Sequence, residues 1–153
     1  MIIRPLRPSD LSVAGHIIDS TGLFPGELLE TMTRDYLVGN APDAHWLVAT
    51  NTRDEPTGLT YYAPEPMTEG TYNLYLIAVH RDQHGRGTGQ ALMHYVEQEL
   101  RAAGQRILLV ETSGLPEFSR TRSFYTQLGY SREAVIRDFY RAGEDKVVFW
   151  KRL

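Results

Sequence analysis

The stretch from Thr71 to Gly104 constrains the fold more than any other. Thr71-Tyr72-Asn73-Leu74-Tyr75-Leu76-Ile77-Ala78-Val79 is the strongest strand signal in the chain. A loop follows in which Gly85, Gly87 and Gly89 occupy alternate positions. Leu92, Val96 and Leu100 then recur at helical spacing, so a helix is expected from about Gly87 to Ala103, with Gly104 as its C′ residue. A strand, a glycine loop and a helix start in this order gather free backbone N–H groups at the positive end of a helix dipole, which suits phosphate oxygens. Two familiar phosphate folds fit poorly. A nucleotide P-loop needs Gly-Lys-Ser/Thr at the helix start, and this loop contains no lysine. A dinucleotide fold needs Gly-x-Gly-x-x-Gly after a first strand, whereas the spacing here is Gly-x-Gly-x-Gly after a meander. On this feature alone, a plain turn is the alternative to a pyrophosphate cradle.

Around this segment the pattern predicts short elements. Ile2–Leu6 reads as a strand. Pro8 precedes a helix with Ser9 as the expected N-cap and Leu11, Ala14, Ile17 and Ile18 on its inner face. A second helix is expected from about Glu27 to Val38, with Leu28, Met32, Tyr36 and Leu37 on one side. His45–Thr50 and Thr57–Ala63 read as strands joined by a tight turn. Ile107–Val110 is a continuous apolar run, as in a buried parallel strand. A helix over Ser119–Leu128 and strands near Ser131–Arg137 and Lys146–Lys151 complete the chain. The expected class is α+β, a mixed α/β sandwich, as a single domain over residues 1–153.

Composition narrows the chemistry. The chain has no cysteine, which excludes a disulfide scaffold, a thiol nucleophile and a thiolate metal site. His80 and His84 lie in a turn with no nearby pair of acids, so no metal site is expected. The serines lack a Gly-x-Ser-x-Gly setting. A net charge of −3 argues against a nucleic-acid binder. That charge is uneven: residues 1–79 sum to −6, residues 80–117 to −1 and residues 118–153 to +4. An acidic first half is suited to a cationic ligand. No apolar run is long enough for a membrane helix, and Met1-Ile2-Ile3-Arg4-Pro5 lacks the pattern of a secretory signal. The expectation is a cytoplasmic protein with no membrane partner.

Two segments carry a family resemblance. His84-Gly85-Arg86-Gly87-Thr88-Gly89 resembles the acyl-CoA loop, Gln/Arg-x-x-Gly-x-Gly/Ala, of the GNAT superfamily of N-acetyltransferases. His84 stands where that family usually has Gln or Arg. Ser123-Phe124-Tyr125-Thr126-Gln127-Leu128-Gly129-Tyr130 resembles the family's Phe-Tyr-x-x-x-Gly-Phe/Tyr segment. The order of elements over residues 2–152 also matches. The resemblance implies a GNAT-like fold: a six- to seven-stranded mixed sheet with about four helices. It also implies a splayed acyl-CoA cleft beside the strand at 71–79. Acetyl-CoA would be the co-substrate, with no metal. The pantetheine would pair with the backbone of Ile77, Ala78 and Val79, and the pyrophosphate would sit on His84, Gly85, Arg86, Gly87, Thr88 and Gly89.

Direct transfer to an amine has two proton-transfer tasks: deprotonating the ammonium and protonating the CoA thiolate. Tyr125 matches the family's acid position. Glu111, at the end of the apolar run, is the candidate base, directly or through water; ordered water without a dedicated base is the alternative. A related pattern, that of the ribosomal-protein alanine acetyltransferases, has an Asn where Phe118 stands here, and its loop is shorter. That departure favours a small-molecule primary amine over a protein N-terminus. Phe24, Glu27, Tyr61 and Tyr62, with the region around Asp138-Phe139-Tyr140, are the candidate acceptor contacts. A protein lysine or N-terminal acetyltransferase and a non-catalytic acyl-CoA-binding module are the competing readings. Either a monomer or a homodimer fits the sequence.

Overall fold

The computed structural model describes every residue from Met1 to Leu153. The strands are β1 (Ile2–Pro5), β2 (His45–Thr50), β3 (Pro56–Pro64), β4 (Thr71–Val79), β5 (Ile107–Ser113), β6 (Ser131–Arg141) and β7 (Glu144–Arg152). They form one seven-stranded sheet in the order β1-β2-β3-β4-β5-β7-β6. The helices are α1 (Leu11–Thr21), α2 (Leu29–Leu37), α3 (Thr88–Ala102) and α4 (Ser119–Gln127). β4 and β5 are parallel, whereas β1–β2, β2–β3, β5–β7 and β6–β7 are antiparallel. This is the mixed α+β sheet expected from the sequence. No helix is long and apolar enough to cross a membrane.

Residues group into two compact units, one of Met1–Ala63 with Tyr75–Gln98 and one of Pro64–Leu74 with Glu99–Leu153. In the first, Ile17 and Ile18 of α1 and Leu29 of α2 pack with Trp46, Val48 and Leu59 of the sheet. The approach of α1 to the following turn is unusually close. A side chain at Gly26 would overlap the carbonyl of Gly15, so only glycine fits there. The Gly26 N–H donates to Asp19 Oδ1 at 2.7 Å, which fixes the same turn.

Two sequence expectations in this unit are corrected. Ser9 is not the cap of α1. Asp10 ends a 3₁₀ turn at Pro8–Asp10, and its carboxylate accepts the Arg7 N–H at 2.8 Å. The inner face of α2 is also displaced. Leu28 and Met32 are exposed, and Leu29 and Thr33 are buried instead. Tyr36 packs on the core as expected, and Leu29, Thr33 and Tyr36, spaced four and three apart along α2, make its inner face, while Leu28 belongs to the 3₁₀ turn at Gly26–Leu28 before the helix.

In the second unit, the buried side chains include Leu74, Leu108, Val110, Val147 and Phe149. α3 ends as its glycine predicts: Gly104 has φ +75° and the Gln105 N–H donates to the Leu100 carbonyl. Arg122 of α4 donates from Nη1 to the carbonyls of Ser113 and Leu115, at 2.7 and 2.8 Å, and so closes the loop after β5. The last hairpin is longer than expected. β6 runs to Arg141, with register shifts at Arg132/Ala134 and Ile136/Arg141.

Candidate active site

The first unit builds the loop. β4 ends at Val79, and the His80 N–H returns to the Thr57 carbonyl at 3.0 Å. A 3₁₀ turn at Arg81–Gln83 follows. His84 then turns its ring back, with Nε2 2.9 Å from the Val79 carbonyl. A carbonyl only accepts, so Nε2 carries the proton. Gly85 and Gly87 have φ of +76° and +81°, values that a side chain would strain. The first bond of α3 is Ala91 N–H to the Gly87 carbonyl, so the N–H groups just before it have no partner within the helix. His84, Gly85, Arg86 and Gly87 are exposed, Gly89 is half-buried and Thr88 is buried. The loop therefore presents backbone donors to solvent at the start of a 15-residue helix.

In the second unit, a polar cluster surrounds Glu111. The parallel ladder of β4 with β5 runs from Thr71↔Ile107 to Leu74↔Val110, and Glu111 is the next residue. Antiparallel pairing with Val148 of β7 fixes its backbone. Glu111 Oε1 accepts from Asn73 Nδ2 at 2.8 Å and lies 2.9 Å from Lys146 Nζ. Asn73 Nδ2 also donates to Glu65 Oε1 at 2.8 Å. The Asn73 Oδ1 atom is buried and has no partner. Lys146 is itself 9% exposed, and its ammonium lies 4.0 Å from the centroid of the Phe139 ring. No group of three or more His, Asp or Glu side chains is arranged to hold a metal ion.

Tyr125 belongs to the same unit. It is 2% exposed, and its ring packs against Phe124, Tyr130 and Phe149 at centroid distances of 5.3, 6.0 and 5.5 Å. Burial, with a smaller contribution from Tyr140, raises its phenol pKa well above the ordinary value. The phenol is therefore protonated at neutral pH. Tyr140 is raised too, by burial and then by Glu111 and Glu144.

The predicted acceptor contacts separate. Phe24 and Tyr61 both pack on the first unit's core, and Tyr61 stacks on Trp46 and Tyr75 at 4.4 and 5.5 Å. Tyr62 is the next residue along β3, so its ring lies on the opposite face, buried and stacked on His45 at 4.7 Å. Glu27 is exposed in the turn before α2. The sequence reading assigned no role to Asn73, Glu65 or Lys146. The only available signals were a polar residue inside the apolar run of β4 and a lysine in an arginine-dominated chain.

A family model described as an acetyltransferase (GNAT) domain matches residues 42–132, more than half of the chain. The chain belongs to the GNAT family of acetyltransferases. A solved GNAT-family structure from Desulfovibrio desulfuricans is 36% identical, with a TM-score of 0.91, over 99% of this chain and 98% of that one. An aminoglycoside 6'-N-acetyltransferase complexed with coenzyme A is 17% identical, with a TM-score of 0.77 over 99% and 97% of the two chains. The ribosomal-protein-S18-alanine N-acetyltransferase of Escherichia coli is 20% identical, with a TM-score of 0.78 over 99% and 92%. These last two share the GNAT fold. No curated protein matches the chain significantly.

Proposed function

We propose that this GNAT chain is an N-acetyltransferase, one catalytic domain over residues 1–153, that moves an acetyl group from acetyl-CoA to a small-molecule primary amine. The observation that carries the reading is the exposed Gly85-Arg86-Gly87 turn leading into the first, helix-unpaired N–H groups of α3, in a chain of this family. The pyrophosphate would rest there, with Arg86 adding charge. The pantetheine would pair with the backbone of Ile77, Ala78 and Val79; the Val79 carbonyl, which His84 Nε2 approaches at 2.9 Å, keeps a second lone pair.

In the proposed reaction, Glu111 takes one proton from the acceptor's ammonium, directly or through water. The freed nitrogen attacks the thioester carbonyl carbon, forming the C–N bond, and the C–S bond then breaks. The departing thiolate takes the proton of the Tyr125 phenol, a donor at neutral pH, and because burial raises that phenol's pKa the transfer is coupled to the arrival of the nitrogen's second proton. The second nitrogen proton restores the phenol, and Glu111 releases the first to solvent. The products are the amide, CoA and one proton. With no cysteine in the chain, a cysteinyl acyl-enzyme is not available, which favours direct attack in a ternary complex.

Phe118 at the loop position and the acidic balance of residues 1–79 support a small cationic acceptor. Tyr61 and Phe24 are retained as acceptor contacts and Tyr62 is not, because of its face on β3. Acetyl-CoA at about 100-fold over its Kd should stabilise the fold by about 2.7 kcal/mol, read as a rise in Tm. CoA release across a panel of amines and peptides should then select a small amine. Absence of any Tm shift sinks the reading; a shift without release from any acceptor supports an acyl-CoA-binding module instead.

A further inference from the structure

We propose that Asn73 and Lys146 are positioning residues that clamp the Glu111 carboxylate through Oε1 and reserve Oε2 for the acceptor's proton. The inference rests on the reading of Glu111 as the base. Both contacts of the carboxylate, Asn73 Nδ2 at 2.8 Å and Lys146 Nζ at 2.9 Å, fall on Oε1. Two donors on one oxygen restrict rotation of the carboxylate and set the direction of the other oxygen.

Asn73 is held in one orientation by charge. Its Nδ2 group donates to Glu65 Oε1 as well as to Glu111 Oε1. A reversed amide would place Oδ1 against two carboxylate oxygens. The consequence is the buried Oδ1 with no partner, an arrangement that costs stability. An apolar residue at this fully buried position of β4 would avoid that cost. What the amide supplies against that cost is a bond to each of the two carboxylates.

Lys146 is confined as well. It projects from β7, where it pairs with Ser113 of β5, and it is buried. The Phe139 ring lies against its ammonium at 4.0 Å, a cation–π contact that keeps the charge over Glu111. The ammonium therefore cannot sweep freely through solvent as a surface lysine does.

The test uses CoA release by wild type, E111Q, K146M, K146R, N73A and the E111Q/K146M double variant. The probe acceptors are an aminoglycoside, a linear diamine, an aromatic ethylamine and a peptide with a free N-terminal alanine. Acetyl-CoA affinity and Tm are measured alongside. E111Q is expected to lower kcat about 100-fold. K146M and N73A are each expected to lower kcat about tenfold, with acetyl-CoA affinity unchanged. K146R should recover most of the rate, because a guanidinium also donates to Oε1. The double variant should be no slower than E111Q alone. N73A tests the clamp independently if K146M folds poorly, and it also removes the orphaned oxygen. Wild-type kcat in K146M and N73A beside an impaired E111Q overturns the clamp and leaves Glu111 as base. Additive losses in the double variant, without rescue by arginine, overturn it in favour of a structural role. A fully active E111Q removes the base and the clamp together, as does a wild type inert toward all four acceptors.

Discussion

At the scale of single residues, the candidate site depends on how burial treats a polar group. Tyr125 is enclosed by Phe124, Tyr130 and Phe149, and its phenol is pushed toward the protonated form. Tyr125→Phe keeps the ring and its packing and removes only the donor. It should lower kcat about 100-fold under conditions where chemistry limits the rate, while acetyl-CoA affinity and Tm stay close to wild type. A loss of affinity in place of kcat would assign Tyr125 to binding. The tyrosine was legible because it sits in the Phe124-Tyr125…Gly129-Tyr130 segment. Lys146 was not, because nothing in Glu144-Asp145-Lys146-Val147 shows that β7 will set this lysine against Glu111. The adjacent pair Tyr61 and Tyr62 shows the converse. Side chains alternate along a strand, so two neighbouring tyrosines that look like one patch in sequence end on opposite faces.

At the scale of elements, strand and helix identities follow from periodicity, but phase does not. The periodicity predicts α2 and places Tyr36 inward, but Leu29 and Thr33 share that inner face, not Leu28 and Met32, because both sets fit a helical spacing and only packing against the sheet selects one. β6 continues past its expected end near Arg137 to Arg141 through Asp138, at φ +54°, and a register shift between Ile136 and Arg141, an irregularity of pairing that strand alternation does not announce. The loop from β5 to α4 rests on one side chain, Arg122, which donates to the carbonyls of Ser113 and Leu115. Arg122→Ala removes two charge-assisted bonds from a partly buried site and should cost about 2 kcal/mol. Hydrogen exchange should then quicken at Leu115 and Phe118 while β7 stays protected. Unchanged exchange at Leu115 would mean that packing alone holds the loop.

At the scale of the whole molecule, stability toward acid is concentrated near the first strand. Arg4, 9% exposed, meets the buried Asp10 at 2.7 Å and Asp54 at 2.9 Å. Burial alone would raise the Asp10 pKa, but hydrogen bonds from the Arg4 side chain and the Arg7 N–H, with their charges, outweigh it and lower the pKa. Asp54 is lowered mainly by its hydrogen bond from Arg4. A lowered native pKa means the stabilisation is complete above the ordinary aspartate value, about 3.9, and is lost as pH falls through the native one. Asp10→Asn leaves Arg4 buried beside a neutral partner and should destabilise by about 3 kcal/mol at pH 7. The Tm gap between the variant and wild type should hold down to about pH 5 and shrink below about pH 4. A gap independent of pH would mean that shape, not charge, makes the contact.

The sequence by itself determined the order of elements, the parallel strand at Ile107 and the glycine loop before α3. These are local properties: side-chain periodicity, turn chemistry and the backbone freedom of Gly85 and Gly87. It also carried the two segments that mark the family. Only the tertiary structure decided the company each polar group keeps. Asn73 and Glu111 lie on different strands, and Lys146 on a third, yet they meet within 3 Å because parallel and antiparallel pairing sets their register. Pairing between strands distant in sequence depends on the summed burial of both faces of the sheet, and no short stretch of residues encodes that sum.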